Sequence, residues 1–177
     1  VPTARVMNEG WIVPTILSFV DTHNKIKSID KTTVKTIIND ICDSMDKENP
    51  GQQIIRPTLD EIYTTLYIMD YLYKENKKYD ENNKVKIIYP AASTFVAHAI
   101  SHILSKVFKT ISMDEGIFSA EIFVDSMCSD QAQMQKYSFK GTRDDIINEM
   151  ETDKHCVVVH YDMLSEGINI PSVSAII

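Results

Sequence analysis

The sequence predicts an α/β fold: a mostly parallel sheet flanked by helices, with an α-helical insertion ahead of it. Three observations predict it. Short apolar runs rich in β-branched or aromatic residues, Val85–Tyr89, Glu121–Asp125 and Cys156–Val159, alternate with stretches whose apolar residues recur at helical spacing. Strands separated by helical patterns favour parallel pairing through crossovers. Ahead of them, residues 28–73 carry helical spacing alone.

Taken in order, Ala4–Asn8 fits one helical turn closed by Gly10. Trp11–Val20 is a β-prone run interrupted by Pro14, hence an edge strand or a crossing linker, and residues 1–20 are assigned as that linker. Ser28–Asp46 places Val34, Ile37, Ile38, Ile41, Cys42 and Met45 three and four apart behind an Asp30 N-cap, and Asn49-Pro50-Gly51 ends the helix. Thr58, three residues before Glu61, has the form of a capping box and opens a second helix carrying Leu59, Ile62, Tyr63, Leu66, Tyr67 and Tyr73 toward one side. Its tyrosines read as packing residues with their hydroxyls at the rim rather than as a base-stacking surface.

Lys74–Lys84 is almost wholly polar and predicts a solvated loop that closes the insertion, residues 21–84. Residues 85–177 then form the α/β unit. Val85–Tyr89 is a strand and Thr94–Phe108 a helix with Phe95, Val96, Ala99, Ile100, Ile103, Leu104 and Val107 inward. Glu121–Asp125 is a second strand, Thr142 caps a helix running through Ile146, Ile147 and Met150, Cys156–Val159 is a third strand and Val173–Ile177 a fourth.

Composition bounds the rest. A chain of 177 residues, 44% hydrophobic, can bury the core of one domain with an insertion. Cys42, Cys128 and Cys156 are odd in number and lack a Cys-x-x-Cys pair, which argues against a disulfide framework and a zinc site and suits the cytoplasm or another reducing compartment. No apolar run approaches the roughly eighteen residues that span a bilayer, and the amino end lacks a basic-then-apolar signal pattern, so no membrane partner is expected. The net charge of -7 argues against nucleic-acid binding by bulk charge, though a protein gripping phosphates through loop amides and hydroxyls needs no positive total. Beginning with Val and stopping within a pattern, the sequence is expected to be part of a longer chain.

That pattern is Tyr161-Asp-Met-Leu-Ser-Glu-Gly-Ile-Asn-Ile-Pro171, a polar loop delivered by a buried strand. It resembles motif V of the superfamily 2 helicases and translocases, which runs Thr-Asp-x-Leu-Ser-Glu-Gly-Ile-Asp-Ile-Pro. Lys86-Ile-Ile-Tyr-Pro-Ala-Ala-Ser-Thr-Phe-Val-Ala-His-Ala99 is similar to motif IV, Phe139-Lys-Gly-Thr-Arg143 is placed like the loop before the helix ahead of motif V, and Glu9–Pro14 is similar to the segment joining the two motor domains. The resemblance covers residues 85–177 and the stretch near Trp11. It implies the second RecA-like domain of such a motor, incomplete here, with residues 21–83 inserted.

The resemblance implies backbone-contact roles for Ser93 in the motif IV loop and for Tyr161 and Asp162 at the start of motif V. Ser93 and Thr94 stand at a helix start, where hydroxyls and amides can meet phosphate, and Ser93 can cap the helix as well. It also implies that Gly167 admits the nucleotide closely and that Asn169, where the family has an acid, reaches the ATP ribose. Tyr161 replaces the usual threonine, and Glu166 reads as a loop-organising acceptor. No Gly-x-x-x-x-Gly-Lys-Ser/Thr and no Asp-Glu magnesium pair occur, so ATP and Mg2+ would be held mainly by an upstream RecA-like domain and this chain alone should not hydrolyse ATP.

Other constellations carry less. His98 and His102 stand four apart without the glutamate of His-Glu-x-x-His and read as exposed helix histidines; His155 and His160 bracket a strand with no third ligand in view. Asp144 and Asp145 complement a helix dipole. The expected function is therefore part of an ATP-dependent DNA or RNA helicase or translocase, with a protein partner conceivable at the insertion. The alternative is a non-catalytic α/β nucleic-acid- or protein-binding module derived from such a domain, for which Tyr161 and Asn169 argue.

Overall fold

Four parallel strands form one sheet in the order β2-β3-β1-β4, with β1 at Lys86–Pro90, β2 at Ile122–Met127, β3 at His155–His160 and β4 at Ala175–Ile176. The computed structural model describes residues 29–52, 55–79, 82–111, 116–162 and 173–177. Five helices flank the sheet among the described residues: α1 (Lys31–Glu48), α2 (Leu59–Tyr79), α3 (Thr94–Thr110), α4 (Gln131–Tyr137) and α5 (Arg143–Glu151), with a 3-10 turn at Gly116–Ser119. The fold is the α/β class expected, and its described sheet is wholly parallel.

The register places Lys86 opposite Cys156 and Pro90 opposite His160, and Ile122 opposite His155. Alternation along β3 then sorts its side chains onto two faces. Val157 and Val159 join the larger core with α1, α2 and α3, while Cys156 and Val158 join a smaller one with Met134, Ile146 and Met150. Both faces of β3 are apolar because both are covered.

Local chemistry accounts for the helix ends. Asp30 accepts from the N–H groups of Thr32 and Thr33 (3.1 and 3.0 Å), and the Thr58–Glu61 box closes in both directions, Glu61 N–H to Thr58 Oγ1 (3.2 Å) and Thr58 N–H to Glu61 Oε2 (2.6 Å). Thr142 caps α5 by accepting from Asp145 N–H (3.2 Å). Lys86 is the buried exception on β1: its ammonium donates to the carbonyls of Met150 and Thr152 (2.7 and 3.1 Å), satisfying the end of α5.

Three sequence expectations need correction. Lys74–Lys84 is not all loop, since α2 runs to Tyr79; the Lys74–Asp70 and Lys78–Glu75 pairs (2.5 and 2.6 Å) and the basic last turn support a polar helix end that buries little. Seven-residue α4 was not expected, because only Met134 and Tyr137 turn inward, too few to display a period. The fourth strand shrinks to Ala175–Ile176, paired to Ile87 and Ile88.

Both predicted helices ahead of the sheet are present, but they share its core. Val34, Ile37, Ile38 and Met45 of α1 and Ile62, Leu66 and Met69 of α2 lie in the same cluster as Ile87, Ile103, Leu104 and Val157. Residues 1–20, assigned as linker, lie outside the described residues.

Candidate functional site

In a parallel sheet the loops that leave the carboxyl ends of the strands converge, and here they are laced together by backbone bonds. Ala91 N–H, just past β1, donates to His160 C=O at the end of β3 (2.7 Å), and Tyr161 N–H donates to Met127 C=O at the end of β2 (3.0 Å). Ser93, Thr94, Tyr161 and Asp162 thereby fall on one edge. Gly167 and Asn169, expected on the nucleotide side, and Glu166 with them lie outside the described residues.

Ser93 is the N-cap of α3, in extended backbone, and its Oγ accepts from Val96 N–H (3.3 Å). Among the described residues the hydroxyl proton is given to nothing, so the cap leaves a donor for a ligand. The first turn of α3 holds no acidic residue, whereas that of α5 holds Asp144 and Asp145. The positive end of the longer helix is therefore not cancelled by its own side chains. Thr94 follows, half-buried, with its side chain on the Cys128 thiol.

Tyr161 is 37% exposed, its ring at the surface where a threonine would reach less far. Asp162 takes a φ of +60°, the left-handed region in which Asp is among the few non-glycine residues found with any frequency. The chain thus leaves β3 through a left-handed residue at Asp162.

His98 corrects the expectation of an exposed helix histidine, for it is 0% exposed. Its Nδ1 bonds Ser126 Oγ (2.7 Å), Ser101 Oγ donates to Ser126 Oγ (3.0 Å), and Nε2 lies 3.8 Å from Cys128 Sγ. Burial holds this imidazole down at about 4 and pushes the thiol up, the reverse of an activated thiolate–imidazolium pair, so the pair acts as polar packing between α3 and β2. His102, partly buried, donates from Nε2 to Tyr137 C=O (2.7 Å). Its spacing from His98 makes no metal site, and no group of three metal-ligating side chains occurs among the described residues.

His160 is the residue that sequence reasoning undervalued. It is buried at the carboxyl edge with no partner for either ring nitrogen among the described residues, and burial lowers its pKa. His155, at the other end of β3, instead accepts Val85 N–H on Nδ1 (3.0 Å) and meets the edge of Tyr73. It borders a groove of about 340 Å³ at the amino ends of the strands, on the far side from Ser93 and Tyr161. There Lys84 faces Asp153 (3.8 Å) and Lys154 faces Glu121 (3.5 Å), so the groove's charges are largely answered from within.

The three cysteines are unpaired and buried, and no helix among the described residues is long and apolar enough to cross a membrane. Comparison with protein-family models, with curated proteins and with solved structures found no match.

Proposed function

We propose that this chain is part of an ATP-dependent superfamily 2 DNA or RNA helicase or translocase, forming its second RecA-like domain. The observation that carries the reading is the neighbourhood of the two motif-like loops. Ser93–Thr94 and Tyr161–Asp162, separated by more than sixty residues in sequence, share the carboxyl edge of a parallel sheet through the Ala91–His160 bond (2.7 Å). In this reading Ser93 and the start of α3 hold a backbone phosphate, Tyr161 packs against the adjoining sugar or base, and Asp162 orients the turn. The resemblance assigns Gly167 the close approach to the nucleotide and Asn169 the ATP ribose, as a neutral hydrogen-bonding partner. An upstream RecA-like domain supplies the phosphate cradle and Mg2+, and closure of the two domains moves the strand.

The test is nucleic-acid-stimulated ATP hydrolysis by the longest natural chain that contains this segment, beside the same chain carrying Gly167→Asp. Stimulated turnover that the substitution abolishes, with folding intact, is the expected outcome. A folded chain that turns over no ATP with any DNA or RNA would leave the binding module as the better account.

A further inference from the structure

The loop between α4 and α5, Ser138–Gly141, is built with unusual care for a surface turn. Asp125, on the edge strand β2, is completely buried, and its carboxylate accepts from Phe139 N–H (2.9 Å), Lys140 N–H (2.9 Å), Ser138 Oγ (3.0 Å) and Ser126 N–H (2.7 Å). A carboxylate stripped of water is costly unless donors surround it, and most of these donors belong to the loop. Ser138 Oγ also accepts Gly141 N–H (3.0 Å), and Gly141 takes a φ of +77°, a conformation L side chains rarely adopt. Gln131, at the start of α4, donates to Gly141 C=O (3.1 Å).

What this scaffold displays is an aromatic ring. Phe139 is 50% exposed, packed on the His102 imidazole (centroids 4.7 Å apart, 32° between planes) with Lys109 Nζ 5.8 Å from its centroid. His102 is itself held by its Nε2–H bond to Tyr137 C=O, so the ring behind Phe139 has a fixed orientation. Lys109, exposed on the last turn of α3, adds positive charge beside it, while Lys140 is engaged by Glu149 (2.8 Å). A half-exposed ring backed by an imidazole and flanked by an ammonium group has the chemistry of a stacking platform for a base whose backbone is anionic.

We infer that Phe139, locked in place through Asp125 and His102, is a stacking platform for an unpaired base of single-stranded nucleic acid. This rests on the nucleic-acid reading above and names a contact outside the two motif-like loops. Platforms of this kind tolerate any sequence, because every base has a π-face.

The test uses the longest natural chain, fluorescence anisotropy with single-stranded DNA and RNA oligonucleotides, and variants at this exposed position that spare the core. Phe139→Leu keeps apolar area and loses the aromatic face; it should weaken binding about tenfold, the size of one lost base–aromatic stack. Phe139→Trp should restore it, and the KM for ATP should stay within about twofold in both, since Phe139 is not among the residues assigned to the nucleotide. Asp125→Asn, which turns an amide donor toward backbone donors, should copy the Leu variant if it folds. Wild-type chain that binds oligonucleotides while Phe139→Leu binds them equally well overturns the platform and leaves the nucleic-acid reading standing. Wild-type chain that binds neither DNA nor RNA overturns the reading on which the platform rests.

Discussion

His98 and His155 sit where burial opposes a positive charge, each held at about 4 against an ordinary value near 6.5; for His155 the Lys84 and Lys77 ammonium groups push in the same direction. Because the folded-state values are depressed, both imidazoles are neutral in the native protein and become protonated first in the unfolded one. Their contribution to stability is fully present above about pH 6.5 and is lost as pH falls toward 4, on the order of 3 kcal/mol for each. Denaturant midpoints should therefore drop steeply between pH 7 and pH 4.5. His98→Leu, whatever its stability at neutral pH, should flatten that slope; an unchanged slope would mean His98 titrates normally.

Serine before a helix announced a cap, and Ser93 is one. The burial of His98 was not legible, because its cause is Ser126 and Cys128 on another element. Asp125 was equally opaque: a carboxylate closing an apolar strand reads as the strand's polar end until a loop fourteen residues onward folds back to surround it.

Among the elements, α5 depends on a side chain that the helix does not own. Lys86 of β1 donates its buried ammonium to Met150 and Thr152 carbonyls, replacing the water those groups would otherwise keep. Lys86→Met should cost about 2 kcal/mol through lost charge-assisted bonds, read as a lower denaturant midpoint with unchanged slope. At the start of α2, Thr58→Ala opens the reciprocal box with Glu61 and should cost about 1 kcal/mol. Ser93→Ala should cost a similar amount of stability and, in the proposed function, also weaken oligonucleotide binding; a loss of stability alone would reduce Ser93 to a cap.

For the whole molecule, α1 and α2 form part of the core that the sheet needs. The apolar faces of α1 and α2 close over α3 and the same side of β1 and β3, and Asn49 at the end of α1 donates to the Tyr137 hydroxyl of α4 (2.6 Å). Each buried Ile, Leu or Met contributes about 1.5–3 kcal/mol, so removing the pair forfeits more than a domain of this size has in reserve. A chain lacking residues 28–84 should lack a cooperative melt and bind a hydrophobic dye, whereas a sharp transition near that of the full chain would make the helices an appendage.

By itself the sequence determined the α/β class, the helices opened by Asp30, Thr58, Ser93 and Thr142, and the strands, because helical and alternating apolar periods and N-cap residues are local signals that burial and backbone hydrogen bonding impose directly. It also marked Ser93 and Thr94 as a helix start, and it singled out Tyr161 and Asp162 only through their resemblance to a known motif. The tertiary structure alone decided that these loops meet at one edge, that α1 and α2 complete the sheet's core, and that Asp125 fixes Phe139 at the surface. Those outcomes depend on pairings between residues far apart in the chain, for which the energy of each group is set by what is packed against it.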